Sequence, residues 1–339
     1  MKQATIPIFV PHVGCPNQCI FCDQRCISST ARPPSPQQVK ALCAQGVESA
    51  QGRFDRIEIA FFGGSFTAIH PELMLSLLDA AWPFVRSGGA DGIRISTRPD
   101  AVDPQRLELL ASRGVTAIEL GVQSMQPEVL IKNHRGHTPR DTEEASRLIR
   151  RWGLSLGHQM MTGLYGDSEE GCLATAEAIC ALAPDTVRIY PTVVIGGTRL
   201  EQLYRQRAYR PPTLEESVAL CARLLRRFGA AGVSVIRMGL HASKELEQGM
   251  VAGAYHPAFR ELCESRLMLE DVLARLSETA PPPQKVGIRV APGALSKMLG
   301  QRRCNIDFLK NLGYNSTVSE DSSLTGLQTA VRLDENAGA

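Results

Sequence analysis

The chain has no stretch approaching the ~18 apolar residues of a membrane-spanning helix. Nor does it open like a secretory leader. After Met1-Lys2-Gln3 the apolar run Ile6–Val10 is too short for that role. It has no internal repeat and no low-complexity tract. It has little net charge, +2 at pH 7, so no single field dominates the molecule or selects a partner. Even lacing of cysteines is missing as well. Of ten, four crowd into Cys15–Cys26, while Cys43, Cys172, Cys180, Cys221, Cys263 and Cys304 are scattered, which excludes a small disulfide scaffold. These absences predict a protein of the reducing cytoplasm, away from membranes, where free thiolates survive and can bind iron.

What remains is a 339-residue chain, 43% hydrophobic and 21% charged, enough for one large core or a large domain plus a small one. Short β-like runs alternate with longer helical patterns. Strands are predicted at Ile6–Val10, Ile57–Phe62, Gly92–Thr97, Val115–Val122, Leu154–Met161, Thr186–Val194 and Val233–Met238. Helices are predicted at Pro36–Ser49, with Ser35 as N-cap, and at Pro71–Val85, Pro104–Ser112, Pro139–Trp152, Glu169–Leu182 and Thr213–Phe228. Apolar strands between helices indicate a parallel sheet buried on both faces. The fold class expected is α/β, a partial (β/α) barrel of about six parallel strands; an open doubly wound sheet is the alternative. In barrels the loops after the strands carry the chemistry, and the unusual residues here fall in such loops. Residues 1–240 are expected to form the barrel, 241–280 a helical extension ending in Phe259–Leu276, and 285–335 a small basic α+β domain beyond the stiff break Ala280-Pro281-Pro282-Pro283.

Directly after the first strand, Gly14-Cys15-Pro16-Asn17-Gln18-Cys19-Ile20-Phe21-Cys22 spaces three thiols as C-x3-C-x2-C. Cys15, Cys19 and Cys22 on one short loop suit three irons of a cubane, leaving the fourth iron to an outside ligand. The competing reading adds Cys26 and closes a four-thiolate zinc site. Zinc loops usually come as two separated pairs, and Cys26 reads better as a free thiol.

These residues resemble the radical S-adenosylmethionine superfamily over residues about 5–240. The cysteine spacing matches in full, with the aromatic Phe21 before the last thiol. Gly63-Gly64-Ser65-Phe66-Thr67 is similar to the glycine-rich segment whose backbone receives the amino group of S-adenosylmethionine, and glycine allows that close approach. Ser96-Thr97-Arg98-Pro99-Asp100, Glu119-Leu120-Gly121-Val122-Gln123-Ser124, Arg135-Gly136-His137-Thr138 and Ile189-Tyr190-Pro191-Thr192 resemble the branch containing the Elongator catalytic subunit. The resemblance implies that Ser96 and Gln123 lie near the ribose hydroxyls, that Gln159 is a ribose- or adenine-side contact, and that Met160 and Met161 line the adenine. It implies that Arg135 pairs with the carboxylate, a role suited to a guanidinium fork. The acetyltransferase domain of that subunit is not expected, because only about 100 residues follow residue 240.

The cofactors implied are a 4Fe–4S cluster and S-adenosyl-L-methionine, and the partner implied is an external one-electron donor of flavodoxin or ferredoxin type. The expected chemistry is reductive cleavage to methionine and a 5′-deoxyadenosyl radical, with the protein supplying orientation and exclusion of water. Tyr190, Tyr204, His256 and Lys132 are candidates to face the substrate, although surface or packing roles are commoner for such residues.

Past the proline break, a strand Val286–Val290, a helix Pro292–Leu299, the turn Gly300-Gln301-Arg302-Arg303, a helix Asn305–Leu312 and two strands, Ser316–Ser319 and Leu327–Leu333, are expected. This resembles a KH-type fold, in which a Gly-x-x-Gly loop clamps nucleotide backbone; here Arg303 replaces the second glycine. The local basic excess suits phosphate, against the alternative of a solvated basic face. Three functions compete: an enzyme modifying RNA, transfer RNA foremost; a radical enzyme acting on a small molecule or peptide; and a non-enzymatic zinc-binding adaptor.

Overall fold

The computed structural model describes residues 2–11, 15, 19–23, 32–279, 282 and 284–333. Cys26 and most of the break Ala280–Pro283 lie outside them. Contacts divide the chain into two units, Met1–Thr213 with Phe228–Tyr255, and Leu214–Arg227 with His256–Ala339.

The first unit is a strand–helix alternation. In chain order it runs β1 (Gln3–Val10), α1 (Pro36–Ala50), β2 (Arg56–Gly63), α2 (Pro71–Arg86), β3 (Gly92–Thr97), α3 (Pro104–Ala111), β4 (Val115–Gln123) and α4 (Pro127–Lys132). It continues through α5 (Pro139–Arg151), β5 (Ser155–Thr162), α6 (Glu169–Ala181), β6 (Thr186–Pro191), β7 (Val193–Ile195) and α7 (Arg199–Arg205). After α8 (Leu214–Ala230), most of which belongs to the second unit, come β8 (Ser234–Met238), α9 (Lys244–Gly249) and β9 (Met250–Gly253). Seven strands form one parallel sheet in the order β1-β2-β3-β4-β5-β6-β8. Ser35 caps α1 as expected, its Oγ accepting from Gln38 N at 3.2 Å while Gln38 Oε1 accepts from Ser35 N at 2.8 Å. Such caps contribute about 1 kcal/mol each.

The sheet is curled. The guanidinium of Arg188 on β6 lies 5.1 Å from the centroid of the Phe62 ring on β2. Four inter-strand steps would hold those backbones about 19 Å apart on a flat sheet. Two side chains close that gap only if the strands wrap toward each other, so this is a half-barrel and not an open doubly wound sheet. Its convex face carries Ile6, Ile8, Ile57, Ile59, Phe61, Ile93 and Ile95, all buried under helices.

One predicted strand is corrected. Thr186–Val194 is two strands: β7 leaves the sheet and pairs antiparallel with β9. The helices α4, α7 and α9 have six or seven residues each, too few for a helical period to show in sequence.

The second unit contains α10 (Phe259–Thr279), β10 (Gln284–Val290), α11 (Leu295–Leu299), α12 (Cys304–Asn311), β11 (Tyr314–Glu320) and β12 (Thr329–Leu333). β10 is central, parallel to β11 and antiparallel to β12. Its core joins Met268, Val272 and Leu276 of α10 to Ile288, Met298 and Leu309. The helix expected from Pro292 starts only at Leu295, because Gly293 has φ +79° and Ala294 N closes a turn onto Ala291 O. Gly300 has φ +76°, and a Cβ there would lie 2.7 Å from Cys304 Sγ and 3.0 Å from Asn305 N. No helix among the described residues is long and apolar enough to cross a membrane.

Candidate functional site

The cysteine turn follows β1. Cys22 N donates to Cys19 O at 3.1 Å, which makes a tight turn over Cys19–Cys22. The turn is held from two sides: Ile20 N donates to Asn133 O at 3.3 Å, and Leu200 N donates to Ile20 O at 2.8 Å. Ile20 and Phe21 are buried among Val129, Leu164, Val194, Leu200 and Tyr209, so Phe21 anchors the turn from below. Asn133 is the strut. Fully buried, it sends its side-chain N–H groups to Val129 O (2.8 Å) and Tyr165 O (2.9 Å).

Cys15, Cys19 and Cys22 are all half-buried thiols. Burial pushes the Cys22 thiol up to about 12, and the charges of Cys19 and Cys15 push it further in the same direction. Burial also raises Cys15, opposed by a hydrogen bond to the backbone of Ser65 and by the cations Arg135 and Arg98. At both Cys15 and Cys22 burial outweighs the neighbouring cations. Among the described residues no group of three or more His, Cys, Asp or Glu side chains stands together as it would around a metal ion. The donor types, three thiols within eight residues of sequence with the cations Arg135 and Arg98 near Cys15, have the chemistry that iron–sulfur ligation requires.

β2 ends at Gly63, whose φ of +113° and whose would-be Cβ, 2.9 Å from Val10 O, admit only glycine. Gly64 N then donates to Val10 O at 2.8 Å, tying the ends of β1 and β2. Ser65 Oγ lies 2.8 Å from Thr97 Oγ1 and accepts from Arg98 N at 3.1 Å. Thr67 Oγ1 completes the chain, 2.5 Å from Thr97 Oγ1. The glycine-rich segment is thus fastened to the end of β3 by buried hydroxyls.

Gln123 and Arg135 converge over Gly121. A Cβ on Gly121 would lie 3.1 Å from Gln123 Nε2 and 3.3 Å from Arg135 Nη2. Gln123 sits at a register shift in β4 with φ +63°, an uncommon conformation for a residue with a side chain. Arg135 Nη2 donates to Gly121 O at 2.6 Å and Nη1 to Cys19 Sγ at 3.1 Å. Two buried polar atoms here, Gln123 Oε1 and Arg135 Nε, have no partner among the described residues. Buried groups of this kind are normally satisfied, so they mark where a polar ligand would complete the site. Ser124 serves the local backbone instead, its Oγ accepting from Gln126 N at 3.1 Å to close a turn.

Gln159 and Ser96 meet on the concave face, Gln159 Nε2 donating to Ser96 Oγ (3.3 Å) and to Glu119 Oε2 (2.8 Å). Glu119 belongs to an ionic layer that the motifs in the sequence do not announce. Arg94 holds Glu58 through Nε–Oε2 at 2.6 Å and Nη2–Oε1 at 3.2 Å, and reaches Glu119 Oε1 at 3.3 Å. Arg188 meets Glu119 through Nη2–Oε1 at 2.8 Å and a second, poorly aligned Nε–Oε2 approach at 2.8 Å. A signal for this layer exists in the sequence all the same. Each strand carries a lone charge inside an apolar run, and a charge on a buried strand must be paired.

The remaining candidates scatter. Met160 is fully buried core, while Met161 packs against the same apolar cluster as Cys19 and Cys22. Tyr190 lies beside Arg188, and burial raises its phenol. Tyr204 packs on the apolar cluster beneath the cysteine turn. Lys132 lies over Gly166. His256, in the second unit, accepts from Ala258 N at 3.1 Å and leads into α10.

Residues 9–179 match the Radical SAM superfamily, and residues 184–268 match the Radical SAM C-terminal domain. An uncharacterised protein of Methanocaldococcus jannaschii is 31% identical over 229 residues, covering 64% of this chain and 68% of that one. The tRNA uridine(34) acetyltransferase of Dehalococcoides mccartyi is 26% identical over 239 residues, 61% of this chain and 52% of its own length. The chain therefore spans about half of that second relative. The structure of archaeal Methanocaldococcus infernus Elp3 with an N-terminal deletion superposes with a TM-score of 0.65 at 23% identity, covering 80% of this chain and 63% of that one; it speaks to the fold.

Proposed function

This chain belongs to the radical SAM superfamily, and from that premise we propose that it reductively cleaves S-adenosylmethionine and uses the resulting radical to modify transfer RNA. The observation that carries the reading is the convergence of Arg135 and Gln123 beside Cys19, with Arg135 Nε and Gln123 Oε1 buried and unpartnered among the described residues. Cys15, Cys19 and Cys22 would hold a 4Fe–4S cluster, which when bound supplies the electron that breaks a carbon–sulfur bond of the sulfonium.

The chain's own residues then have separable roles. The backbone of Gly63-Gly64-Ser65, fastened by the Ser65–Thr97–Thr67 hydroxyls, receives the amino group. Arg135 offers its guanidinium to the carboxylate, a charge-assisted contact. Gln123, Gln159 and Ser96 face the ribose. Ile20, Phe21, Met161 and Tyr209 keep water from below the turn.

Transfer RNA as substrate is supported by the relative named as a tRNA uridine(34) acetyltransferase. It is supported too by the turn between α11 and α12. There Arg302 (φ +53°) and Arg303 (φ +64°) are both exposed and take part in no ion pair among the described residues, as phosphate-contacting side chains would. A cytoplasmic setting and a flavodoxin- or ferredoxin-type donor complete the reading.

The test is anaerobic reconstitution with iron and sulfide, reduction with dithionite, and detection of 5′-deoxyadenosine. Comparative mass spectrometry of total tRNA nucleosides with and without the gene accompanies it. A nucleoside lost with the gene names the product. Zinc alone in the purified protein, or no 5′-deoxyadenosine after reconstitution, defeats the proposal.

A further inference from the structure

The segment Arg135-Gly136-His137 brings two side chains to the end of β4, and the proposed cofactor site uses only the first. Arg135 Nη2 donates to Gly121 O at 2.6 Å. His137 reaches the next carbonyl along the strand, its Nε2 lying 3.2 Å from Val122 O. A carbonyl only accepts, so Nε2 carries the proton there and Nδ1 does not. The ring is 4% exposed, and Nδ1 is buried without a partner among the described residues. Burial foremost, and then the charge of Arg135, lowers the imidazole to about 4, which keeps it neutral.

Val122 O also accepts from Ser124 N at 2.8 Å, a bond that spans only one residue. That residue is Gln123, with φ +63°. Residues 122–124 therefore make a γ-turn of the rare, strained kind, placed at the register shift in β4. This turn sets the direction in which the Gln123 side chain leaves the strand. Strained backbone persists only where its surroundings over-determine it. The downstream flank is fixed by Met125 N donating to Thr175 Oγ1 at 3.1 Å and by Gln126 N donating to Ser124 Oγ at 3.1 Å. The turn's own carbonyl is held from outside by His137. His137 is anchored in its turn by its neighbour: Thr138 N donates to Asp141 Oδ2 at 2.7 Å, and Asp141 N donates back to Thr138 Oγ1 at 3.3 Å, at the start of α5.

We infer that His137 is a positioning residue: by donating Nε2–H to Val122 O it locks the strained turn and so keeps Gln123 fixed toward its ligand. A locked turn lowers the entropy cost of ordering that side chain on binding. A neutral imidazole suits the task, because it supplies one buried N–H without setting a second cation beside Arg135. That the ligand is the ribose of S-adenosylmethionine rests on the reading above; the lock on the turn does not.

The experiment has two arms, both on the full-length protein reconstituted anaerobically with iron and sulfide. In the first, S-adenosylhomocysteine, which keeps the ribose but lacks the sulfonium, is titrated by calorimetry. The proteins compared are the wild type, His137→Phe, Gln123→Ala, the double variant and His137→Gln. His137→Phe and Gln123→Ala should each weaken binding by about five- to tenfold, the worth of one hydrogen bond. The double variant should bind no more weakly than Gln123→Ala, because His137 acts through Gln123. His137→Gln retains an N–H donor and should bind within about twofold of the wild type. Losses that multiply in the double variant overturn the inference, as does wild-type affinity in His137→Phe. In the second arm, amide hydrogen exchange is followed over residues 121–126. It should quicken by about tenfold in His137→Phe and return to the wild-type rate in His137→Gln. Unchanged exchange in His137→Phe overturns the lock. Should His137→Phe fail to fold, His137→Met, which also lacks the donor, takes its place in both arms. If the wild type binds no S-adenosylhomocysteine, the cofactor reading falls, and the exchange arm alone decides the lock.

Discussion

Arg135 Nη1 donates to the sulfur of Cys19 at 3.1 Å while its Nη2 donates to Gly121 O at 2.6 Å. One guanidinium thus joins the cysteine turn to the end of β4, two segments roughly a hundred residues apart in sequence. The cation serves two purposes: it offsets the cost of a buried sulfur anion, and it aims its remaining N–H at the space over the turn.

Cys19→Ala and Arg135→Gln should separate these purposes. Cys19→Ala is expected to lose the cluster's visible absorbance and 5′-deoxyadenosine formation together. Arg135→Gln should keep the absorbance but weaken S-adenosylmethionine binding by about tenfold or more, the worth of a charge-assisted contact. Anaerobic titration of both variants decides; retained cleavage in Cys19→Ala contradicts the ligand assignment.

Glu119 accepts from Arg94, Arg188 and Gln159 on three different strands. Glu119→Gln leaves Arg188 without its anion and Arg94 with Glu58 alone, and should destabilise the fold by about 3 kcal/mol. The double change Glu119→Gln with Arg188→Met should cost less than the sum of the two single changes, because it removes the orphaned charge along with its partner. Urea unfolding of the three variants measures the coupling, and strict additivity would show that the layer is not a unit.

Two histidines make the protein acid-sensitive. Burial lowers His137 to about 4 and His158 to about 3, each from an ordinary value near 6.5. Both are neutral in the folded state and take up protons more readily when unfolded. Their contribution is therefore complete above pH 6.5 and is lost as the pH falls from there toward 4, on the order of 3 kcal/mol per histidine. Replacing His158, whose Nε2 lies 2.9 Å from Ser146 Oγ, by Gln should flatten the dependence of urea midpoint on pH between 6.5 and 4.5. An unchanged slope would contradict the neutral assignment.

Arg302 and Arg303 are expected to set the salt dependence of RNA binding. Changing both to Gln should reduce the slope of log affinity against log salt by about one to two, with little change in melting temperature, because both side chains are exposed. The same slope in the variant would assign them to a merely solvated face.

Gly63 is predicted to tolerate no side chain. Gly63→Ala forces a Cβ to 2.9 Å from Val10 O at a φ of +113° and should cost about 1–3 kcal/mol. Thermal unfolding checks this, and cluster incorporation should fall with it, since the same junction leads into the cysteine loop.

Several elements are legible in the sequence because their signals are local. The thiol spacing, the glycine pair after β2, the Ser35 cap and the alternation of strands and helices each lie within a few residues. The layer of Glu58, Arg94, Glu119 and Arg188 is hidden because each charge looks incidental inside its own strand. Taken together, four lone charges in four buried strands require partners. Asn133 has no such signal: its role exists only because Ile20 and Tyr165 come to it from separate segments.

By itself the sequence determined which chemistry the chain can offer: three thiols on one short loop, glycines where backbone must approach closely, and strands apolar enough to be buried on both faces. Those follow from covalent spacing and side-chain character. The tertiary structure alone decided who meets whom. Arg188 reaches Phe62 from four strands away, and β7 leaves the main sheet for β9. The reason is that such meetings depend on strand order and on sheet curvature, which accumulates from the twist of every strand and the packing of every helix, and no single stretch of residues encodes that sum.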